Sequence, residues 1–428
     1  MTSGSTAVLA HGLGGSTDLP IPYTYALIGA AWTLTFTFAV VALAWRRPRF
    51  DPDKPGVPLP SWVTTAVDSA VTRWVVGLLA LVLAGWVAYT GFARAAGANP
   101  LPGVFYVLLW VGLVAASVLL GPVWRLISPV RTLFRFIPVT ARWHYPERLG
   151  YWPAAAGLFA FVWLELASPD PGSVVAIRNW LLAYLAVTLA GALCCGPRWL
   201  ESADPFEVYS TVASKLSPVR RHDGRFVLGN PFDHLPSLTV RPGLVAVLAV
   251  LLGSTAFDSF SAMPQWRNFV DAHSGSPLGS SLIRTVGLLV FAATVAVTFW
   301  AATRTTGGVD RPLRRQLPGL MAHSLIPIVV GYVFAHYLSY LVERGQQTVI
   351  LLFGLHDVQV SYFLSGHPTL LATLKVGFVL AGHVAGVIAA HDRALRLLPK
   401  QHQLTGQLAT MLVMVGYTFT GLYLLFGG

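Results

Sequence analysis

Ionisable residues lie inside segments of this chain that are long and apolar enough to cross a bilayer. His323 and His336 share one such segment, His383 and His391 share the next, and Asp258 ends an earlier one. An ionisable group is costly to bury at membrane depth, so it usually marks a metal ligand, a proton relay, a substrate contact or a buried pair. These residues are therefore the first candidates for chemistry.

The depths of three histidines predict one shared cavity. His323, His383 and His391 fall in the same half of the membrane on consecutive antiparallel segments. Imidazole nitrogens suit a divalent transition metal such as zinc, and an open coordination position lets the metal activate water. The short-range signatures H-E-x-x-H and paired C-x-x-C are absent from the sequence. Helix packing through single hydrogen bonds is the alternative role for each histidine.

A second cluster is predicted at the opposite depth. His336 lies near the other end of its segment, level with Asp258 and with Glu165 of an earlier segment. A carboxylate placed there can take the proton of an attacking water, so we assign these three residues catalytic roles. The two carboxylates could instead reach the interface as solvated charges. Three further residues of outer segments are candidates for the same cluster: His11, His356 and Asp357.

The composition predicts an all-α polytopic membrane bundle that forms a single domain over residues 1–428. Of the 428 residues, 54% are hydrophobic and 11% are charged, against a usual charged share of about 25%. A helical span needs about 20 apolar residues. About ten segments qualify: Tyr23 to Trp45, Trp74 to Ala93, Gly103 to Trp124, Leu149 to Ser168, Asn179 to Gly196, Gly243 to Phe260, Ser281 to Thr303, Pro318 to Glu343, Thr369 to Ala390 and Gly406 to Phe426.

The distribution of basic residues predicts the orientation in the membrane. Of the 29 Lys and Arg, 23 lie in connections on one side and the remaining 6 on or near the other. By the positive-inside rule, the basic side is cytoplasmic. The chain is then a multi-pass cell-membrane protein with both termini outside, and residues 197–242 form its longest cytoplasmic loop without a separate soluble domain. This rule accounts for the net charge of +11 without a nucleic-acid partner.

One sequence pattern occurs twice, at the ends of the third and fifth predicted spans. Residues 121–124 read Gly-Pro-Val-Trp before Ser128-Pro129, and residues 196–199 read Gly-Pro-Arg-Trp before Asp204-Pro205. Parallel repeats of a two-span unit would produce this pattern. Ordinary Gly-Pro punctuation of helix ends would produce it as well.

Several stretches distributed over nearly the whole chain carry a resemblance to a known family. They are residues 10–15 (Ala-His-Gly-Leu-Gly-Gly), 18–22, 256–260 with 264–266, 323–339, 382–386 and 390–395. In these stretches the chain resembles the bacterial polytopic membrane proteins of the fenitrothion hydrolase family. The resemblance implies hydrolysis of an organophosphate triester at a membrane-embedded site.

Together, the clusters and the resemblance predict a metal-dependent hydrolase of small lipophilic phosphotriesters. In that mechanism His323, His383 and His391 hold the metal, and Asp258 or Glu165 takes a proton as hydroxide attacks phosphorus. The alternative is a transporter for a metal ion or a small solute, in which the same residues form a passage site. A hydrolase would gather its polar residues at one depth, whereas a transporter would distribute them along a path.

Overall fold

The computed structural model describes residues 19–137, 141–355 and 357–426, and it confirms the predicted all-α membrane fold. In this part of the chain, nine helices are long and apolar enough to cross a membrane, and a tenth apolar helix has 15 residues. Helices satisfy their own backbone hydrogen bonds, which lipid cannot do. The protein is therefore a multi-pass integral membrane protein whose surroundings include the bilayer.

The helices and strands of the first half alternate between long membrane helices and short connecting elements. In chain order they are α1 (Tyr23–Ala44), β1 (Val57–Pro58), α2 (Ser61–Asp68), α3 (Ala70–Ala93), α4 (Leu101–Leu120, π-helical over Val104–Gly112), α5 (Trp124–Ile127), α6 (Pro129–Arg135), α7 (Trp152–Leu166), α8 (Val174–Cys195), α9 (Pro197–Ala203) and α10 (Pro205–Ala213).

The second half contains the most buried membrane helices. Its elements are β2 (Val219–His222), β3 (Arg225–Leu228), α11 (Pro231–His234), α12 (Leu244–Ser261), α13 (Pro264–Ser274), α14 (Pro277–Arg304), α15 (Arg311–Phe353), α16 (Pro368–Leu397) and α17 (Thr405–Phe426).

The fourth predicted span, Leu149 to Ser168, is shorter than predicted. Gly150 turns the chain with φ +45° just before α7 begins, and α7 ends at Leu166. At about 1.5 Å per residue, α7 rises only about 22 Å, less than the bilayer core of about 30 Å. Contacts with α10 and α12 cover it within the protein.

The eighth predicted span, Pro318 to Glu343, is the middle of the much longer α15. A tight 3₁₀ turn at Ala322–Leu325 and a π-helical turn at Tyr340–Arg344 interrupt its α-helical hydrogen bonding. Pro327 occupies the first turn of the segment Ile326–Ser339. Because the first N–H groups of a helical segment have no helical acceptor, Pro is tolerated there.

Glycines bring α15 and α16 into backbone contact. A Cβ added to Gly331 would lie 2.5 Å from the Phe378 carbonyl oxygen, and one added to Gly382 would lie 2.5 Å from the Pro327 oxygen. Only glycine permits this approach. The two contacts also fix the register of these antiparallel helices, because Pro327 faces Gly382 and Gly331 faces Phe378.

The long connection 197–242 packs against the membrane bundle. Its residues Phe206, Tyr209 and Leu235 are part of the main hydrophobic core. Its hairpin β2–β3 pairs with β1 of the first connection in an antiparallel sheet of order β1-β3-β2, in which Val57 pairs with Leu228. The connection is therefore tied to the bundle and to the first connection.

The repeated Gly-Pro pattern produces the same turn twice. Gly121 and Gly196 end α4 and α8 with φ/ψ of 94°/−164° and 69°/−163°. Ser128 and Asp204 then act as N-caps whose side chains accept backbone N–H groups at the start of α6 and α10. A repeat of whole two-span units stays a prediction.

Candidate functional site

A buried polar cluster lies near the end of α12, where this helix contacts α15. Its residues are Asp258, Ser259, Tyr332, His336 and Tyr337, and we term it the α12–α15 cluster. Each of them is at most 7% exposed. Because buried polar atoms need hydrogen-bond partners, these side chains satisfy one another.

Packing on the opposite side of α12 orients the cluster. Gly253 lets α12 approach the backbone of α14, because a Cβ there would lie 2.6 Å from the Ala292 Cα. One turn later, Phe257 packs edge-on against Phe291 of α14, with ring centroids 5.6 Å apart. The next two residues, Asp258 and Ser259, then face α15.

Asp258 is held by two adjacent residues of α15. The His336 Nε2 lies 2.9 Å from Asp258 Oδ2, and the Tyr337 hydroxyl donates to the same oxygen at 2.7 Å. Hydrogen bonds to a charged acceptor are shorter and stronger than neutral ones. The carboxylate is therefore fixed against the imidazole ring.

The other ring nitrogen of His336 faces a serine. Ser259 Oγ lies 3.0 Å from His336 Nδ1 and 3.2 Å from the Tyr332 hydroxyl, which donates to the Gly421 carbonyl at 3.3 Å. Ser259 Oγ also lies 3.3 Å from the Thr255 carbonyl. When the Nε2 proton is directed at Asp258, Nδ1 is an acceptor to which the Ser259 hydroxyl can donate. Serine, histidine and aspartate thus form one hydrogen-bonded row.

The third predicted catalytic residue lies next to this row. Glu165 of α7 is close enough to Asp258 for the two carboxyl groups to repel each other when both are charged. It is also within electrostatic range of Tyr106 and Tyr340. The structure therefore brings Asp258, His336 and Glu165 together, and their catalytic roles stay a prediction.

A buried lysine lies in the same layer of the bundle. Lys375 of α16 is fully buried. In the α15–α16 register, Gly331 faces Phe378. Because the helices are antiparallel, three further residues along α15 and three residues back along α16 place Phe334 level with Lys375. Lys375 therefore lies within one helical turn of His336 in depth.

Sequence reasoning missed several residues of this layer. The indication for Lys375 was present, because a lysine inside the apolar run Thr369 to Ala390 is as costly as a histidine. Ser259, Tyr332 and Tyr337 gave no comparable indication, since neutral hydroxyl side chains are ordinary in membrane helices.

The three histidines predicted to share a metal have separate partners. His391 Nδ1 contacts Gln407 Oε1 at 2.9 Å, and its Nε2 contacts the Trp45 carbonyl at 2.9 Å. His323 Nδ1 lies 3.1 Å from the Leu320 carbonyl, and His383 Nδ1 lies 2.8 Å from the Val379 carbonyl. Two of these contacts are within the histidine's own helix.

These contacts do not fit a shared metal. Within 19–137, 141–355 and 357–426, no group of three or more His, Cys, Asp or Glu is placed to hold a metal ion. Both nitrogens of His391 face protein oxygens or amides, so neither is available as a ligand. His383 offers one open nitrogen, Nε2, which is buried without a hydrogen-bond partner among the residues that the structure describes.

Of the three remaining candidates, the structure describes Asp357. Asp357 is exposed in the connection between α15 and α16. His11 and His356 lie outside the described residues.

Fold and site define a class of protein, a multi-pass helical membrane protein with an acid–base cluster buried between its helices. No protein-family model, curated protein or solved structure matches this chain.

Proposed function

We propose that this protein is a membrane-embedded hydrolase of a lipophilic ester. The observation that carries the proposal is the row Ser259–His336–Asp258, with contacts of 3.0 Å and 2.9 Å. A nucleophile within hydrogen-bond reach of a base that is oriented by a third group is the arrangement used in covalent hydrolysis, and it is recognised by geometry, not by order in the sequence.

Each residue of the row has a defined role in this mechanism. As Ser259 Oγ attacks the ester carbon or phosphorus, its proton passes to His336 Nδ1. Asp258 accepts from Nε2 and stabilises the imidazolium that forms. His336 then protonates the leaving oxygen as its bond to the substrate breaks. Water next attacks the acyl- or phosphoryl-serine, gives a proton to His336, and releases Ser259, which regains its proton.

Two tyrosines support the row. Tyr337 donates a hydrogen bond to Asp258 at 2.7 Å, which holds the carboxyl group in place against the imidazole ring. Tyr332 contacts Ser259 at 3.2 Å. Because Ser259 is fully buried, an incoming substrate must displace neighbouring side chains to reach the hydroxyl.

The gathering of polar groups in one layer supports an enzyme. Below the α12–α15 cluster, α15 continues with the buried apolar residues Ile326 to Val330 before it reaches His323. The surrounding lipid suits a lipophilic substrate. The phosphotriester implied by the family resemblance belongs to this class and would form a phosphoryl-serine, with serine replacing the predicted metal-bound hydroxide.

Hydrolysis of chromogenic esters tests the proposal. The purified protein in lipid nanodiscs is assayed with a 4-nitrophenyl carboxylic ester and with a dialkyl 4-nitrophenyl phosphate. Ser259→Ala and His336→Ala should each lower kcat by about 10⁶-fold, with little further loss in the double variant. Ser254→Ala is the matched control, because Ser254 is a buried serine of the same helix that bonds only the Leu251 carbonyl among described groups.

Covalent labelling identifies the nucleophile. Incubation with the dialkyl phosphate should add one dialkylphosphoryl group to the peptide that contains Ser259, as seen by mass spectrometry. Full activity in Ser259→Ala would exclude serine as the nucleophile. If the wild-type protein hydrolyses neither ester, the proposed function is wrong.

The interrupted α15 favours a second candidate, a transporter. Non-α turns at Ala322–Leu325 and Tyr340–Arg344 flank the cluster-bearing segment, and interrupted membrane helices form substrate sites in transporters. Proteoliposome flux of candidate ions and solutes distinguishes the two. Ester hydrolysis without flux supports the enzyme, whereas flux that depends on Asp258 without hydrolysis supports the transporter.

A further inference from the structure

A groove opens between α12, α14 and α15 at the membrane end opposite the α12–α15 cluster. Its volume is about 630 Å³, and it is reached from the protein surface. Asp258 lies 14 residues beyond Leu244, where α12 starts at the groove, so the two sites are separated by about 21 Å along this helix. The groove and the polar cluster can therefore be tested independently.

Two arginines give the groove a positive rim. Arg241 lies over the Tyr151 ring at 5.4 Å and donates to Ser202 Oγ. Arg315 is exposed on the first segment of α15. Neither forms an ion pair with a carboxylate in the part of the chain that the structure describes. Two guanidinium groups are thus available for one anion.

The wall below the arginines is apolar and borders the membrane surface. It includes Val297 of α14 and Leu320 of α15, and Trp152 and Trp300 stand at its sides. Trp152 and Trp300 are 55% and 49% exposed, as expected for tryptophans at the level of lipid headgroups. The groove therefore combines an anion site with an apolar channel at interfacial depth.

We propose that this groove binds one anionic phospholipid. Its phosphate lies between Arg241 and Arg315, and an acyl chain follows Val297 and Leu320 into the bilayer. Charge complementarity favours an anionic lipid over a zwitterionic one, because the rim carries two guanidinium groups that form no ion pair with a carboxylate of the described residues. The apolar wall favours a lipid over free phosphate, because free phosphate would leave that wall unoccupied.

Lipid binding to the full-length protein in detergent tests this assignment. Native mass spectrometry and the melting temperature are followed during titration with phosphatidylglycerol, phosphatidylcholine or inorganic phosphate. Phosphatidylglycerol should bind and raise the melting temperature, whereas the other two should not. The double change Arg241→Gln and Arg315→Gln should weaken phosphatidylglycerol binding by about tenfold or more.

Two further variants keep the test decisive. Arg225→Gln removes an exposed arginine from the hairpin on the same side of the protein, and it should bind like wild type. Ala296→Leu narrows the groove without a charge change, and it should weaken binding by itself. Equal binding of both lipids, stabilisation by phosphate alone, or unchanged binding in the double variant would each overturn the assignment.

Discussion

Gly331 of α15 and Gly382 of α16 lie in direct backbone contact: a Cβ built on Gly331 would be 3.0 Å from the Gly382 Cα. This contact sets the distance between the helix that carries His336 and the helix that carries Lys375. Any side chain at either glycine must push the two helices apart, because its nearest neighbours are backbone atoms.

The first prediction concerns this glycine contact. Gly382→Ala should destabilise the protein by about 1–3 kcal/mol, because the new Cβ would lie 2.5 Å from the Pro327 oxygen. Gly377→Ala is the matched control on the same helix, since a Cβ there meets nothing within 4 Å. Thermal unfolding in detergent measures both. Equal melting temperatures would show that α15 and α16 are not in this contact.

The second prediction concerns a buried carboxylate outside the membrane helices. Glu207 is fully buried and pairs with Arg131 at 2.7 Å and with Arg125 at 3.3 Å. Glu207→Gln removes the charge that these partly exposed arginines share and should cost about 1.5–3 kcal/mol of unfolding free energy. Glu201→Gln breaks the exposed pair with Arg198 and should cost less than about 1 kcal/mol. Similar losses for the two variants would contradict the burial of Glu207.

The third prediction is a pH dependence of stability that comes from Asp204. Burial, and next the charge of Glu207, raise the Asp204 pKa from 3.8 to about 7, although Trp124, Tyr184 and the Phe206 N–H donate to its carboxylate. Between these two pH values the folded state holds a proton that the unfolded state has lost. The contribution of Asp204 to stability is therefore complete below about pH 4 and is lost as pH rises to about 7.

Comparison with Asp204→Asn isolates this contribution. The difference in unfolding free energy between wild type and variant should fall by up to about 1.4 kcal/mol per pH unit across that window. Chemical denaturation at several pH values from 4 to 8 measures it. A constant difference would mean that Asp204 titrates at its ordinary pKa in the folded protein.

The fourth prediction separates hydrogen bonding from metal binding at His391. His391→Ala should cost about 1–3 kcal/mol, because the buried Gln407 amide and Trp45 carbonyl lose a partner. His144→Ala, at an exposed position, should be neutral. Adding a chelator should not change the stability of the wild-type protein or of either variant. If the chelator instead lowers the wild-type melting temperature to that of His391→Ala, a metal is bound there after all.

The fifth prediction concerns orientation in the membrane. The hairpin turn at Asp223 should be cytoplasmic, and Asp271 of α13 should be outside, as the distribution of basic residues predicts. After Cys194 and Cys195 are replaced by Ala, a membrane-impermeant maleimide should label Asp271→Cys in intact cells and label Asp223→Cys only after lysis. Both positions are exposed. The reverse labelling pattern would place every connection on the side of the membrane opposite to the one predicted.

The sequence was sufficient to predict the membrane helices and part of the site. Asp258 and His336 were found because ionisable groups in apolar segments are rare, whatever the helix orientation. The length of α7 was overestimated, since an apolar run does not reveal where Gly150 turns the chain.

The grouping of His323, His383 and His391 illustrates what depth alone cannot decide. His383 and His391 are eight residues apart, which gives 800°, or about 80° after whole turns, so the two side chains leave α16 in different directions. Rotation about the helix axis depends on contacts such as Gly331 with Gly382, and a single sequence does not supply these contacts. For the same reason, the sequence did not predict the contact between Ser259 and His336.

The pairing of Val57 with Leu228 imposes an order on biosynthesis. The strand β1 leaves the ribosome long before its partner β3, and between them the chain must insert α3, α4, α7 and α8 into the membrane. During this interval the first connection has no strand to pair with. Emergence of residue 228 then joins the first connection to the middle of the chain, before any of α12, α14, α15, α16 and α17 has left the ribosome.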